Sequence, residues 1–316
     1  MANQNYILSK STFVKGNQCT KALYLNRFHK ELKEEISDSQ EAVYAQGTNV
    51  GLLAQELFPG GIDLSPEDYT QFGKAVEETK KVLANGETAL YEPAFIFDEV
   101  LCALDIMVKD KTGWKGYEVK SSTEIKPTFI LDSALQYYII TNSGIKLTDF
   151  SIVYINNQYE KKGKLDFNQL FNKESILEQI LELQPFIKEK IKELKSVLKK
   201  KEIPVVDIGE HCSNPYPCDF AGHCWKHVPE YSVFDIANLR SNKKYELYNK
   251  GITELKKIPD SFPLSDKQWQ QISCEIKNKT VIEKKEIKSF LKELKYPLGF
   301  LDFETFQPRL CIRKIK

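Results

Sequence analysis

The chain has 316 residues, 41% of them hydrophobic and 28% charged, a composition that fits a globular protein with a sizeable core and room for one large domain or two modest ones. Lys and Arg (45) nearly balance Asp and Glu (44), for a net charge of +1, so whole-molecule attraction of a polyanion is excluded and any nucleic-acid contact must rest on a local basic groove. No stretch approaches the roughly 18 apolar residues of a membrane span and MANQNYILSKSTF lacks the apolar core of a signal peptide, so a cytoplasmic protein without a membrane partner is expected, in which the seven Cys are ligands or small buried groups rather than disulfides.

Ser9 or Ser11 is placed to cap a first helix through Lys21-Ala22-Leu23-Tyr24-Leu25, with Cys19 on its early turns. Asp38 to Leu57 has the spacing of a second helix, stopped at Pro59-Gly60-Gly61, and Pro66 to Ala84 that of a third, ending at Asn85-Gly86. Strands follow: Ala89 to Phe97, Val100 to Val108 and Trp114 to Val119 are rich in β-branched and aromatic residues, with Asp110-Lys111-Thr112-Gly113 as the last turn. A helix from about Asp132 to Thr141 and a strand from Asp149 to Ile155 complete a mixed sheet with helices around it, an α/β arrangement. Ile176 to Lys201 is a long amphipathic helix with Ile180, Ile187, Ile191 and Leu194 on its apolar stripe. Its end from Lys188 to Lys201 reads as a solvated face, with nucleic-acid contact as the alternative. After Pro204 comes a loop dense in His, Pro and Cys, His211 to His227; Val233 to Leu294 reads as short helices broken at Pro259 and Pro263, and an apolar strand, Pro297 to Phe303, precedes a basic tail.

The hairpin Leu101 to Ser121 carries the chemistry. Asp105 stands in the apolar run Ala103-Leu104-Asp105-Ile106, where a carboxylate is costly unless something satisfies it. Glu118 and Lys120 share one face of the next strand, and Val119 points the other way. Either Asp105 and Lys120 form a buried ion pair, or two carboxylates and an ammonium converge on a divalent cation at a phosphodiester. Glu-x-Lys recurs at Glu31-Leu32-Lys33, Glu193-Leu194-Lys195, Glu254-Leu255-Lys256 and Glu293-Leu294-Lys295, all in helical contexts; only Glu118-Val119-Lys120 lies on a predicted strand opposite another acidic residue.

The order Glu92, Asp105, Glu118-x-Lys120, Gln136-Tyr137 resembles the PD-(D/E)XK nuclease superfamily, and within it the RecB-like branch of CRISPR-associated exonuclease type, in which a Gln-Tyr helix follows the metal site. The resemblance implies a restriction-endonuclease-like mixed central sheet flanked by helices, and metal-dependent hydrolysis of DNA, exonucleolytic on single-stranded or frayed ends. It assigns Asp105 and Glu118 to Mg2+ or Mn2+, with the Val119 carbonyl in the same shell. Lys120 is assigned to orient the attacking water or stabilise the phosphate, and Gln136 to position Lys120 or the substrate. Glu92 is either a further member or an exposed strand-end residue. Nucleases of this type carry a His four residues after a Gly on the helix before the sheet; here Gly47 is followed by Gly51, so water, Gln55 or Glu56 takes that place. A catalytically silent DNA-binding or scaffold module is the alternative that Gly51 favours.

Cys212, Cys218 and Cys224 form C-x5-C-x5-C in HCSNPYPCDFAGHCW. Such density in a polar, Pro-containing loop reads as ligation, and three thiolates need a fourth ligand. The same nuclease branch has one Cys near the N-terminus and three after the core, jointly holding a 4Fe–4S cluster, a resemblance that assigns Cys19. Zinc is the competing expectation, since His211, His223 and His227 lie beside these cysteines. Joining Cys19 to Cys212 would restrict the unfolded chain by roughly 5 kcal/mol if treated as a cross-link, which makes the cluster a structural clasp without a part in hydrolysis. Cys102 and Cys274 read as core residues, and Cys311 has no partner spacing.

Pro297 to Thr305 ends in Asp302-Phe303-Glu304, which resembles the opening motif of DEDD-type 3′–5′ exonucleases, although the tail RLCIRKIK supplies no further Asp. The sequence thus resembles the N-terminal part of a bacterial family of unassigned function that joins a RecB-like nuclease to such a domain. Asp302 and Glu304 are then an inert remnant, or a chance match, and the segment after Tyr296 is loosely held. Leu247-Tyr248-Asn249-Lys250-Gly251-Ile252 resembles the turn of a helix-hairpin-helix, with a bridging linker as the alternative. The expected organisation is a nuclease domain with its cysteines over 1–230, a helical linker over 231–296, and a truncated first exonuclease-like strand over 297–316.

Overall fold

Ser9 accepts the Thr12 amide while Thr12 Oγ1 accepts the Ser9 amide, a capping box that starts α1 (Lys10–Gln18). The sequence reads as one helix through Cys19, but Cys19 takes extended backbone, ends α1 and caps α2 (Thr20–Phe28) with Sγ 3.5 Å from the Ala22 amide. The computed structural model describes residues 6–35, 38–68 and 71–303, residues 38–40 as backbone only. It divides into two units: one holds residues up to Val206 together with Pro215–Phe220, the other Asp207–Asn214 and the residues from Ala221 on. Among the described residues no helix is long and apolar enough to cross a membrane.

In the first unit, α3 (Asp38–Gln55), β2 (Ile62–Asp63) and α4 (Phe72–Ala84) precede the strands. Two of the expected long strands each come out as two: β3 (Ala89–Tyr91) and β4 (Ala94–Phe97), then β5 (Val100–Ala103) and β6 (Ile106–Asp110). Both break at one level, at Glu92-Pro93 and Leu104-Asp105. Pro93 has no amide for a ladder, and Glu92 takes a left-handed φ of 52°. Backbone bonds from Glu92 N to Asp105 O (3.0 Å) and from Leu104 N to Pro93 O (3.1 Å) tie the two bends together.

Beyond the bends the outer halves build a three-stranded sheet, with β1 (Leu8–Ser9) parallel to β5 and β5 antiparallel to β4. The inner halves join a six-stranded mixed sheet ordered β2-β3-β6-β7-β8-β9, in which β7 is Gly113–Lys120, β8 Leu147–Ile155 and β9 Phe171–Ser175. β7 runs antiparallel to β6 and parallel to β8. This mixed sheet flanked by helices is the restriction-endonuclease-like α/β arrangement expected from the sequence.

Helix α5 (Pro127–Asn142) starts five residues before the expected Asp132, with Pro127 in its first turn where a missing amide costs nothing. The short α6 (Phe167–Leu170) leads into β9, and α7 (Leu177–Leu198) lays Ile180, Ile187, Ile191 and Leu194 on the core. Leu104, Met107, Leu135, Ile139, Phe150 and Ile152 pack in the same cluster, each contributing about 1.5–3 kcal/mol by burial. The Lys-rich end of α7 is balanced from within: Lys190 and Lys192 pair with Glu193 and Glu189, and Lys195 reaches Asp98 and Glu99. Cys102 lies in the core, where burial pushes its thiol far above the usual range.

Gly116, on the Glu118 face of β7, has a role a side chain cannot fill. A Cβ there stands 2.9 Å from the Phe150 ring and 3.2 Å from Leu104 Cδ2. Gly116→Ala is therefore expected to cost about 1–3 kcal/mol by overpacking, read as a lower denaturant midpoint at unchanged slope; an unchanged midpoint means those neighbours give way freely.

The second unit has a smaller core of Val233, Ile236, Leu247, Leu255, Ile258, Phe262 and Ile272. Helices α9 (Ser241–Asn249) and α10 (Asp266–Ile276) contribute to it, with Cys274 half-buried on α10, while α8 (Ala221–Cys224) precedes it in the chain and α11 (Lys284–Glu293), with no buried residue, follows. Gly251 turns the chain after α9 with φ of 75°, but a 3-10 turn (Leu255–Lys257) follows, so the second helix of a helix-hairpin-helix is not formed there. The strand expected over Pro297 to Phe303 is absent from the described residues. Phe300 and Leu301 are 91% and 84% exposed, as befits a strand-like sequence with no sheet to join. Asp302 falls in this segment, while Glu304 and Cys311 lie outside the described residues.

Candidate active site

β6 follows β7 as far as the Ile106↔Tyr117 pair and then peels away at Asp105, while β7 continues to Lys120 against β8. At this fork Asp105 Oδ2 takes the Val119 amide past the last rung. Glu118, 1% exposed, accepts Lys120 Nζ (2.6 Å) and Lys10 Nζ (3.1 Å) on Oε1, and Gln136 Nε2 (2.8 Å) on Oε2. Lys120 Nζ also bonds Asp132 Oδ2 at 2.9 Å and lies 5.2 Å above the Phe129 ring. Asp132 and Gln136 come from one face of α5, a turn apart. Lys10 comes from the first residue of α1, which the pairing of β1 with β5 delivers to the site.

Charge decides the state of these groups. Burial favours the protonated form of Glu118, but Lys10, Lys120 and the Gln136 bond outweigh it and hold the carboxyl well below its usual range. Both lysines are penalised by burial and nevertheless raised, because Asp132 and Glu118 favour their charged forms. Asp105 goes the other way: burial and the charge of Glu118 push it up to about 7, against Lys10, Lys120 and the Val119 amide. Glu92, half-buried at the strand break, is pushed up to about 8 by burial and by Asp105. The site thus sets four carboxyl groups against two ammoniums.

Asp132 Oδ1 and Gln136 Oε1 are buried with no hydrogen-bond partner among the described residues. An unpaired buried acceptor costs about 1–3 kcal/mol, so both favour a donor or a cation. Oxygen donors in excess of fixed positive charge suit a hard cation such as Mg2+ or Mn2+, and in that chemical sense the residues fit one. Among the described residues, no three His, Cys, Asp or Glu are arranged as a ready-made metal-holding group; Glu118 is engaged by lysines.

Asp105, Glu118, Lys120 and Gln136, singled out in the sequence, thus come together, and the ion pair weighed as the alternative, Asp105 with Lys120, is not the one formed. Lys120 pairs with Glu118 and Asp132, not with Asp105, and Gln136 binds Glu118. Glu92 belongs to the site's electrostatics and is not an exposed strand end. Gly51 faces open space, with no atom within 4 Å of where a side chain would begin. The Gln55 and Phe58 carbonyls receive the hydroxyl of Tyr91, the residue before Glu92. Lys10 and Asp132 were missed. Asp132 carried a signal, an acidic residue in the apolar run Ile130-Leu131-Asp132-Ser133-Ala134-Leu135 four positions before Gln136; Lys10 carried none.

The four cysteines are half-buried and not disulfide-bonded. Cys19 and Cys218 border a small cluster of Ala22, Leu25 and Phe220 in the first unit, where Lys15 and Lys33 hold Asp219 at 2.6 and 3.3 Å. Cys212 and Cys224 belong to the second unit. There His211 Nε2 is 3.9 Å from Cys212 Sγ, His227 bonds Tyr248, and His223 Nδ1 is buried without a partner among the described residues. Within neither unit do the described residues hold three Cys or His as a metal group.

No protein-family model and no curated protein matches the chain. Among solved structures, a crystal structure of SSO0001 is similar at 13% identity over 72% of this chain and 90% of that one, with a TM-score of 0.34. An alkaline exonuclease (LHK-Exo) from Laribacter hongkongensis is similar at 12% identity over 63% and 92%, with a TM-score of 0.27. Likeness at this level carries no argument for function.

Proposed function

We propose that the first unit is a metal-dependent deoxyribonuclease of the RecB-like kind, hydrolysing phosphodiesters exonucleolytically at single-stranded or frayed DNA ends in the cytoplasm. The observation that carries this reading is the fork at Asp105. It gathers two carboxylates, an ammonium fixed between Glu118 and Asp132, and two unpaired buried oxygens on the adjoining helix.

Asp105, Glu118 and the Val119 carbonyl would hold Mg2+ or Mn2+, which supplies a water of lowered pKa and neutralises charge on the phosphate. Water oxygen bonds to phosphorus, the ester P–O bond breaks, and the alcohol leaves with one of the water's protons. Lys120, kept charged by Glu118 and Asp132, donates to the attacking water or to a phosphate oxygen as negative charge develops. Gln136 fixes the Glu118 carboxylate through Oε2 and leaves Oε1 turned to the lysines. Cys19, Cys212, Cys218 and Cys224 are assigned to a structural 4Fe–4S cluster, with zinc as the alternative; a colourless protein with stoichiometric zinc after anaerobic purification decides for zinc.

The test of catalysis is degradation of labelled single-stranded DNA with Mn2+. Lys120→Ala is expected to lower kcat by about 10²–10³-fold, the loss typical of a transition-state donor. Equal degradation by both proteins points to a contaminant. Gly51 favours the second reading, a catalytically silent DNA-binding or scaffold module, for which the wild type retains DNA without cutting it.

A further inference from the structure

Lys10 and Lys120 meet on one atom, Glu118 Oε1, but they are held differently. Lys120 stands in the middle of the sheet, bonded to both Glu118 (2.6 Å) and Asp132 (2.9 Å), above Phe129, with its side chain 19% exposed. Lys10 stands at the start of α1 with one close contact, Glu118 at 3.1 Å; Asp132 is 3.9 Å away and the side chain is 29% exposed. Lys120 is fixed at both ends of its reach. Lys10 is the less tethered of the two and has the more exposed side chain.

A carboxylate oxygen has about two lone-pair positions, and on Oε1 both are taken by ammoniums. A divalent cation that binds there competes with them, and like charge expels the less tethered one. An ammonium released inside a site of this burial is costly without a counter-charge, and the anion arriving with the substrate provides one. We propose that Lys10 is a second catalytic ammonium, which exchanges Glu118 for a non-bridging oxygen of the scissile phosphate when a divalent cation takes the Glu118 carboxylate. The proposal rests on the nuclease reading above. It divides the work between the two lysines: Lys120 stays as a fixed donor, and Lys10 couples cation occupancy to the binding of charge on the phosphate.

The test compares wild type with Lys10→Ala, Lys10→Met, which keeps most of the apolar stem, and Lys10→Arg. Mn2+ binding is measured by calorimetry without DNA, kcat and KM on labelled single-stranded DNA, and folding by thermal melting. In Lys10→Ala and Lys10→Met, Mn2+ should bind several-fold more tightly, while kcat falls by about 10²-fold with KM little changed; Lys10→Arg should recover part of kcat. Unchanged or weaker Mn2+ affinity overturns the exchange, and so does a wild-type kcat in Lys10→Met. A low melting temperature in both neutral variants with weakened Mn2+ binding makes Lys10 a structural prop, which also overturns it. If the wild type shows no Mn2+-dependent cleavage, the nuclease reading falls and this one with it. If the wild type cleaves and Lys10→Met matches it, only the role of Lys10 falls.

Discussion

Glu118→Ala is expected to abolish Mn2+-dependent cleavage and to cost about 3–5 kcal/mol of stability as well, the loss typical of breaking a buried charge pair from one side. Glu118 is where Lys10, Lys120 and Gln136 all end. Its removal leaves two half-buried ammoniums sharing Asp132 and strands the Gln136 amide beside Gln136 Oε1, which already lacks a partner among the described residues. Lys120→Ala is milder, since Glu118 keeps Lys10 and Gln136. Glu118→Gln falls between them: it preserves shape and one acceptor, but turns an amide donor toward groups that are donors themselves. The expected order of denaturant midpoints is therefore Lys120→Ala above Glu118→Gln above Glu118→Ala, with activity lost in both Glu118 variants and lowered by about 10²–10³-fold in Lys120→Ala. A Glu118→Ala protein with the wild-type midpoint overturns the view that this carboxylate organises the site.

The part of the site that could be read from the sequence is the part built by local rules. Glu118 and Lys120 share a face because strand side chains alternate, and Asp110-Lys111-Thr112-Gly113 returns the chain so that β6 faces β7. The breaks were half legible: Pro93 announces one, but the peeling of β6 at Asp105 depends on the bonds across Glu92 and Leu104. Lys10 was not legible at all. It contacts Glu118 across 108 residues of sequence, through a two-residue strand too short to show any period, Leu8↔Val100 and Ser9↔Leu101. Cys19 hid its role similarly, since neither Pro nor Gly marks the helix break that its extended backbone makes. The division of the chain at Val206 and the return of Pro215–Phe220 to the first unit also follow from distant contacts. Phe220 is buried against Ala22 and Leu25, and its own neighbourhood in the sequence gives no sign of that.

Mn2+ binding is expected to tighten by roughly tenfold per pH unit between about pH 6 and 8, because a cation must displace a proton that the site retains at neutral pH. Burial and the charge of Glu118 push Asp105 up to about 7, and burial and the charge of Asp105 push Glu92 up to about 8. In the unfolded chain both ionise near 4. The folded protein therefore holds protons that the unfolded chain has lost, and stability from these two groups falls as pH rises from about 4 through 7 and 8, by about 1.4 kcal/mol per pH unit for each retained proton. Glu118 has the opposite sign: its carboxyl is lowered, so its contribution is complete above about 4 and is lost only as pH falls below that. Under a chelator, the melting temperature should accordingly decline from pH 6 to pH 8, and Mn2+ should remove the decline by compensating the charge that drives it. Calorimetry in buffers of different ionisation heat counts the protons released, with about one expected at pH 7. Asp105→Asn takes away the repulsion acting on Glu92 and should flatten the decline. A melting temperature flat from pH 6 to 8 under chelator, or Mn2+ binding without proton release, means that the two carboxyls are already ionised and that the lysines alone balance them.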